Sequence, residues 1–313
     1  MKKIIIVGAG ASGMTAAVEA AKRGCSVRII DANEKTGKKI LATGNGKCNF
    51  TNRYMTPECF RSETMEYVKH VLGQFGTKDT LELMRSLGIE PVEKNGYYYP
   101  ASGQAASVAE VFAMELAHQK AEIRTGEKVI SVSKRKGYFK VTSVDGAQKK
   151  HEYEADAVIL SCGSRAGVPA AKAVDGYELA VSFGHSMAEL APALTGLRCQ
   201  AGWLKAWSGV RTEGSVSIYE GKRFLAKDTG ELQLTDYGIS GIPVFQVSRF
   251  AALALQKKKN VTAQLDFFPA KSEAEVLQLL LDRKRRMDYK TYRELLIGLI
   301  PEKLIGVFLG QAG

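Results

Sequence analysis

An α/β fold, with a Rossmann-like first domain, a β-rich insert and a small helical subdomain, is predicted by three observations. The first 31 residues contain a strand, a glycine turn, a helix and a second strand in direct succession. Three alternating segments with turn signals between them lie within residues 128–153. From about residue 194 the texture changes to strand-like runs, and from Lys271 onward to charged helix. The predicted division is therefore 1–193, 194–269 and 270–313.

Lys3–Val7 is a short apolar, β-branched run, the pattern of a strand covered on both faces. It leads straight into Gly8-Ala9-Gly10-Ala11-Ser12-Gly13, after which residues 14–22 read as a helix closed by Gly24. Gly8 allows the tight turn, Gly10 lets the backbone approach a pyrophosphate, and Gly13 lets helix and strand pack closely. The free N–H groups and dipole of that helix start favour phosphate. Residues 27–30 form a second strand, with Asp31 at its end, where a carboxylate accepts hydrogen bonds from a ribose, and Ala32 beside it. The glycine pattern alone is weak; strand, turn, helix, strand and acid at these spacings supply the context it requires. Both NAD and FAD carry the ADP half read by such a unit, so the fingerprint leaves the choice open.

A second stretch follows. Gly37-Lys38-Lys39-Ile40-Leu41 runs into Thr43-Gly44-Asn45-Gly46-Lys47-Cys48-Asn49-Phe50-Thr51-Asn52. It offers many hydrogen-bonding groups and little to pack in a core. A ribityl chain and flavin edge would use such groups, and a solvated loop would tolerate them equally; the residues alone do not separate the two.

The combined pattern, GxGxSG, then an acid, then GKKxxxTGNGKCNxTN, resembles a bacterial family of NAD(P)/FAD-dependent oxidoreductases that includes aminoacetone oxidase and bile-acid enone reductases. Similar family marks recur in Gly96-Tyr-Tyr-Tyr-Pro-Ala-Ser102, in Asp175-Gly176-Tyr177 with Gly184-His185 and Pro192-Ala193-Leu194, and in residues 230–243. The resemblance implies FAD as cofactor, NAD(P)H as a candidate co-substrate, and hydride transfer between flavin and a small amine or enone. It implies a Rossmann-like FAD-binding domain of the glutathione-reductase type, with the insert covering the flavin. It places Gly8, Ala9, Gly10, Ser12 and Gly13 at the pyrophosphate and Asp31 and Ala32 at the ribose. Thr43, Gly44, Asn45, Gly46, Asn49 and Thr51 then line the ribityl and flavin side. Lys38 and Lys39 are candidate phosphate contacts, a solvated pair being the alternative. The segments at 128–132, 138–142 and 149–153 are similar to the three-stranded meander of such proteins, whose backbone near Val129 meets the adenine. Residues 156–162 read as a further buried strand, with Cys162 and Gly163 in a second small-residue turn over the FAD. Asp236-Tyr237 stands where many members carry a histidine, so no role is transferred there, and no catalytic acid or base is named. The family continues beyond the position where this chain stops, and the expectation is a fragment lacking the family's C-terminal return to the first domain. An RNA-modifying or RNA-binding flavoprotein, or a non-catalytic FAD-binding protein, are the rival readings.

Composition sets the remaining bounds. The 313 residues are 45% hydrophobic and 25% charged, the balance of an ordinary soluble protein with ample core. No apolar run is long enough for a bilayer, and the lysines before Ile4 do not begin a signal peptide, since the run carries the glycine turn. Five cysteines (Cys25, Cys48, Cys59, Cys162, Cys199), odd in number, scattered and without CxxC, point to reduced thiols in the cytoplasm and to no metal site. The net charge of +11 gathers at residues 257–259 and 283–286. With acids interleaved and few aromatics, these read as solvated faces, so nucleic acid is not the expected partner. His185, after a helix closed by Gly184, reads as structural. Elsewhere residues 63–72 and 78–87 read as helices, residues 97–99 as a strand that either flanks the substrate cavity or is a packed edge strand, and Val108, Val111, Phe112 and Leu116 as one helix face. Residues 121–124 are the expected third parallel strand. In the insert, strands are predicted at 216–219, 223–225, 231–235 and 261–267, with a helix over 243–255.

Overall fold

The β-branched runs at the start of the chain build a parallel sheet. The computed structural model describes residues 1–164, 166 and 176–312. They fall into two compact units, 1–187 and 188–313. The Asp175 of the DGY pattern lies outside the described residues.

In the first unit, β1 (Lys3–Val7), α1 (Ala11–Lys22) and β2 (Ser26–Asp31) are followed by α2 (Lys38–Ala42), β3 (Thr51–Asn52), α3 (Met65–Gln74) and α4 (Thr77–Ser86). Then come β4 (Pro91–Lys94), β5 (Tyr97–Pro100), α5 (Ala105–His118), β6 (Glu122–Thr125), β7 (Glu127–Lys134), β8 (Phe139–Asp145), β9 (Lys150–Ala155), β10 (Ala157–Leu160) and α6 (Gly176–Val181). The parallel sheet runs β10-β1-β2-β6. Strand alternation sends Ile6 and Ile29 to one face, where Met14, Ala17 and Val18 of α1 and Val108, Phe112 and Leu116 of α5 cover them. Ile5, Val7 and Ile30 go to the other, against Val129, Val132 and Val141 of the antiparallel meander β7-β8-β9. Each fully buried aliphatic or aromatic side chain contributes about 1.5–3 kcal/mol, so both layers hold the edge between β1 and β2 rigid.

Three details differ from the sequence reading. The first helix begins at Ala11, not at residue 14, because the glycine turn is finished by Gly10 and Ser12 and Gly13 already lie in the first helical turn. β10 is only half-buried, with Leu160 exposed, because it forms an outer strand of this sheet. β5 is the middle strand of a small antiparallel sheet, β3-β5-β4, rather than an edge; β3 is too short to be visible as a strand pattern.

The second unit comprises β11 (Leu197–Arg198), α7 (Leu204–Trp207), β12 (Arg211–Glu220), β13 (Arg223–Thr235), β14 (Gly238–Ser240), α8 (Ile242–Gln256), β15 (Val261–Asp266), α9 (Glu273–Arg286), α10 (Tyr292–Leu296) and α11 (Glu302–Ala312). Its antiparallel sheet runs β11-β14-β13-β12-β15. Val216, Ile218, Leu232 and Leu234 pack with Val244, Val247 and Ala251 of α8, Trp207 of α7 and Leu304 of α11. The two strands expected at 223–225 and 231–235 are one continuous strand, β13, because β12 pairs with it from Arg223 to Gln233, across the polar residues between them, with one bulge near Tyr219. Helices α9 and α10 each start on a capping box, Ser272 with Glu275 and Thr291 with Glu294. The basic run is not uniformly a solvated face: Arg283 donates to the Leu295 and Ile297 carbonyls and ties α9 to the end of α10. No helix among the described residues is long and apolar enough to cross a membrane.

Candidate cofactor site

The site begins where β1 ends. The Gly8 N–H donates to the Ile30 carbonyl at 2.8 Å, which forces the turn to leave β1 beside the end of β2. Gly8 sits at φ +108°, and a Cβ there would lie 2.4 Å from the Ser161 carbonyl oxygen. A Cβ at Gly13 would lie 1.9 Å from the Gly8 carbonyl oxygen. Only glycine permits these approaches. Gly10 differs: a Cβ there would meet nothing within 4 Å, so the space over the turn is open.

Gly10 is also the residue before α1, and no side chain caps the helix. Ala11 and Ser12 are exposed. The first N–H groups of a helix have no intrahelical partner, and the macrodipole places about half a positive charge there. Here both face the open space. Beside them, Asp31 accepts from the Ala9 N–H on Oδ2 (2.6 Å) and from the backbone and side-chain nitrogens of Asn33 on Oδ1 (2.7 and 2.8 Å). These bonds aim the carboxylate: Oδ1 already accepts two, while Oδ2 accepts one and keeps a lone pair for a hydroxyl donor. An uncapped helix start, a clear approach over Gly10 and an oriented acid fit the ADP half of a dinucleotide.

The second stretch is joined to the first. The Gly37 N–H donates to the Ala9 carbonyl at 2.8 Å, and α2 leads from there directly to Thr43. Gly44, Asn45 and Gly46 are all left-handed (φ +57°, +56° and +82°) and exposed. This turn presents backbone to solvent rather than packing it. Cys48 lies beneath it, buried, and burial pushes its thiol up despite a hydrogen bond with Thr43.

Other expected site residues are committed to the protein itself. Lys39 donates to the Ser164 carbonyl at 2.9 Å and Lys38 to Asn33 Oδ1 at 3.3 Å, while both side chains stay exposed. The Asn49 amide donates to the Thr51 and Tyr98 carbonyls. Thr51 is buried with its hydroxyl unpartnered. The Val129 side chain is in the core, so only its backbone can meet a ligand. The β7–β8 register shifts between Val129 and Ser131, leaving Ile130 without a cross-strand partner in that ladder. Such bulges free backbone groups and recur beside binding sites. Cys162 is pushed up by burial, its Sγ against the Val7 carbonyl, and Gly163 is exposed at φ +78°.

Two structural partners escaped the sequence reading. Ser161 donates to the Val7 and Gly8 carbonyls, and Asn33 braces Asp31. An Asn two residues after the acid is a recognisable turn signal; Ser161 carries none.

The chain matches the family description "HI0933-like protein Rossmann domain" over residues 2–238 and "HI0933-like protein barrel and H2TH domain" over residues 191–313. It belongs to the HI0933-like family. A relative named 3-dehydro-bile acid delta(4,6)-reductase, from Clostridium scindens, is 42% identical over 308 residues, 97% of this chain and 74% of the relative. The ribosomal RNA dihydrouridine synthase of Haemophilus influenzae is 29% identical over 312 residues, 98% of this HI0933-like chain and again 74% of the relative. Among solved structures, Thermovibrio ammonificans THI4 covers 52% of this chain and 57% of its own at 17% identity and a TM-score of 0.36, too slight a likeness to carry an argument.

Proposed function

We propose that this HI0933-like protein is an FAD-dependent oxidoreductase that passes a hydride between flavin and a small organic substrate. One observation carries the reading: the uncapped start of α1 opens over Gly10 beside the oriented carboxylate of Asp31. When bound, the flavin supplies the hydride chemistry, and the protein binds, orients and tunes. The N–H groups at the start of α1 hold the pyrophosphate, with Gly8, Ala9, Ser12 and Gly13 shaping the turn. Asp31, with Ala32 beside it, accepts a ribose hydroxyl on Oδ2. The backbone at Val129 and Ile130 meets the adenine edge. The left-handed turn at Gly44–Gly46, with Thr43 and Asn49, lies along the ribityl and flavin side. Lys39 and Gly163 close the phosphate side. Thr51 and Cys162 support these segments from below.

The name of the 42% identical relative favours an enone over an amine such as aminoacetone, and reduction over oxidation; NAD(P)H is our candidate electron source. The five free cysteines suit a reducing, cytoplasmic setting. A second reading, a flavoprotein acting on RNA, is favoured by the net charge of +11 and by the name of the 29% identical relative.

The test is to purify the chain, record its visible absorption spectrum, denature it and identify any released flavin. FAD in near-stoichiometric amount supports the proposal. Folded protein that stays colourless with added FAD overturns it. Reoxidation of the reduced protein by an enone, with no salt-dependent RNA binding, decides between the two readings.

A further inference from the structure

Glu127 is a carboxylate at 5% exposure in the first unit, on the same inward face of β7 as Val129. Burying a charge is costly unless it is hydrogen-bonded. Here Ser143 Oγ donates to one oxygen and Tyr153 OH to the other, at 3.1 Å in the latter case. A leucine would cover this layer without any desolvation cost. A carboxylate adds direction: it fixes β7 to both β8 and β9 at one point.

That point is tied to the candidate cofactor site by two routes. Gly126, the left-handed residue that turns β6 into β7, donates its N–H to the Asn33 carbonyl at 2.9 Å. Asn33 in turn donates twice to Asp31 Oδ1. On the other side, the Tyr153 ring lies under the Arg28 guanidinium, 4.4 Å from its centroid. Arg28 stands on β2 ahead of Asp31 and shares the Glu122 carboxylate with Arg124. The β7 bulge at Val129–Ser131 begins two residues after Glu127. Register in a short bulged ladder is set by whatever anchors its end.

We infer that Glu127 is a positioning residue for the adenosine half of the cofactor, holding the 126–130 backbone and the Asn33–Asp31 pair in one arrangement. This rests on the proposed dinucleotide site. The ligand it serves is the adenine ribonucleotide moiety rather than the flavin ring, since Gly126, Asn33 and Asp31 all lie at the β2 end of the site.

The experiment measures ADP binding by calorimetry and FAD binding by flavin fluorescence quenching. The proteins are the wild-type full chain, Glu127→Gln and Tyr153→Phe, which keeps the ring under Arg28. Glu127→Gln is expected to weaken ADP and FAD by the same factor, about tenfold, with Tyr153→Phe about threefold, as loss of one or two charge-assisted bonds implies. The absorption spectrum of bound flavin stays unshifted. A purely structural role would lower Tm and leave the affinity of the folded protein for ADP unchanged; that result overturns the inference. Weakened FAD with unchanged ADP overturns it too, since it moves the effect to the flavin side. If Glu127→Gln does not fold, Tyr153→Phe decides by the same readout. Wild-type protein that binds neither ADP nor FAD refutes the dinucleotide reading itself. Wild-type binding with both variants unaltered refutes only the role of Glu127.

Discussion

Replacing Gly13 by alanine would place a methyl group 1.9 Å from the Gly8 carbonyl oxygen and 2.7 Å from Ser161 Oγ. The hydroxyl can rotate away; the carbonyl belongs to the turn itself, so helix or strand must retreat by more than an ångström. Overpacking of this kind costs about 1–3 kcal/mol, with backbone partners at the upper end. Alanine returns about 0.5–1 kcal/mol by its better helix propensity. The net loss is about 2 kcal/mol, a fall in Tm of about 4–8 °C for a unit of this size. Gly10→Ala is the matched contrast. Its Cβ meets nothing, its backbone (φ −82°, ψ −173°) suits any residue, and the weaker helix cap is offset by about 0.4–1 kcal/mol from a less flexible unfolded chain. Its Tm stays near the wild-type value while FAD affinity falls about tenfold or more, or about 1.4 kcal/mol, because the methyl fills the phosphate approach. Scanning calorimetry and FAD titration on the two variants separate the roles. Gly10→Ala with wild-type FAD affinity would refute a pyrophosphate passing over that turn. Gly13→Ala with wild-type Tm would refute the close packing of α1 on β1.

Three further outcomes follow from the same geometry. Burial alone would raise the Glu122 carboxyl, but hydrogen bonds from Arg28 and Arg124 outweigh it and hold it below the ordinary value of 4.5; its stabilisation is complete above that value and lost as pH falls through the folded one. Urea midpoints measured from pH 6 to pH 3 should therefore fall less steeply for Glu122→Gln than for wild type, and parallel curves would remove the ion pair from the account. Phe112→Ala, at a fully buried position between α5 and the sheet, should cost about 3–5 kcal/mol in chemical unfolding, with a loss under 1 kcal/mol contradicting its place in the core. Cys59 is exposed, whereas burial pushes the thiols of Cys48, Cys162 and Cys199 up. A thiol reagent at neutral pH followed by peptide mapping should label Cys59 well before those three, and early labelling of Cys48 would show that the turn above it opens.

Much of the first unit was legible in the residues because its signals are local. A β-branched strand, a glycine turn and an acid at fixed spacing specify β1, α1 and β2 with little help from elsewhere. The meander announced itself by alternation and by Lys136-Gly137 and Asp145-Gly146, and α5 by the helical spacing of Val108, Phe112 and Leu116. The same holds for α8, where proline in the first turn follows a Ser-Gly pair.

What the sequence by itself determined, then, is the order of elements, the glycine turn and the polar segment that follows it, all set by backbone sterics and periodicity within a few residues. Only the tertiary structure decided which groups are spent and which are free. Lys38 and Lys39 read as phosphate contacts or a solvated pair, and both, though exposed, also bond to the protein; Thr51 read as site lining, and its hydroxyl is buried without a partner. β13 runs unbroken because β12 lies alongside it, and β10, half-exposed, is an outer strand of its sheet among the described residues. Ser161 and Glu127 act through partners up to 154 residues away. Hydrogen bonds and burial between such distant residues depend on positions that the packed sheets and helices set, and no local pattern encodes them.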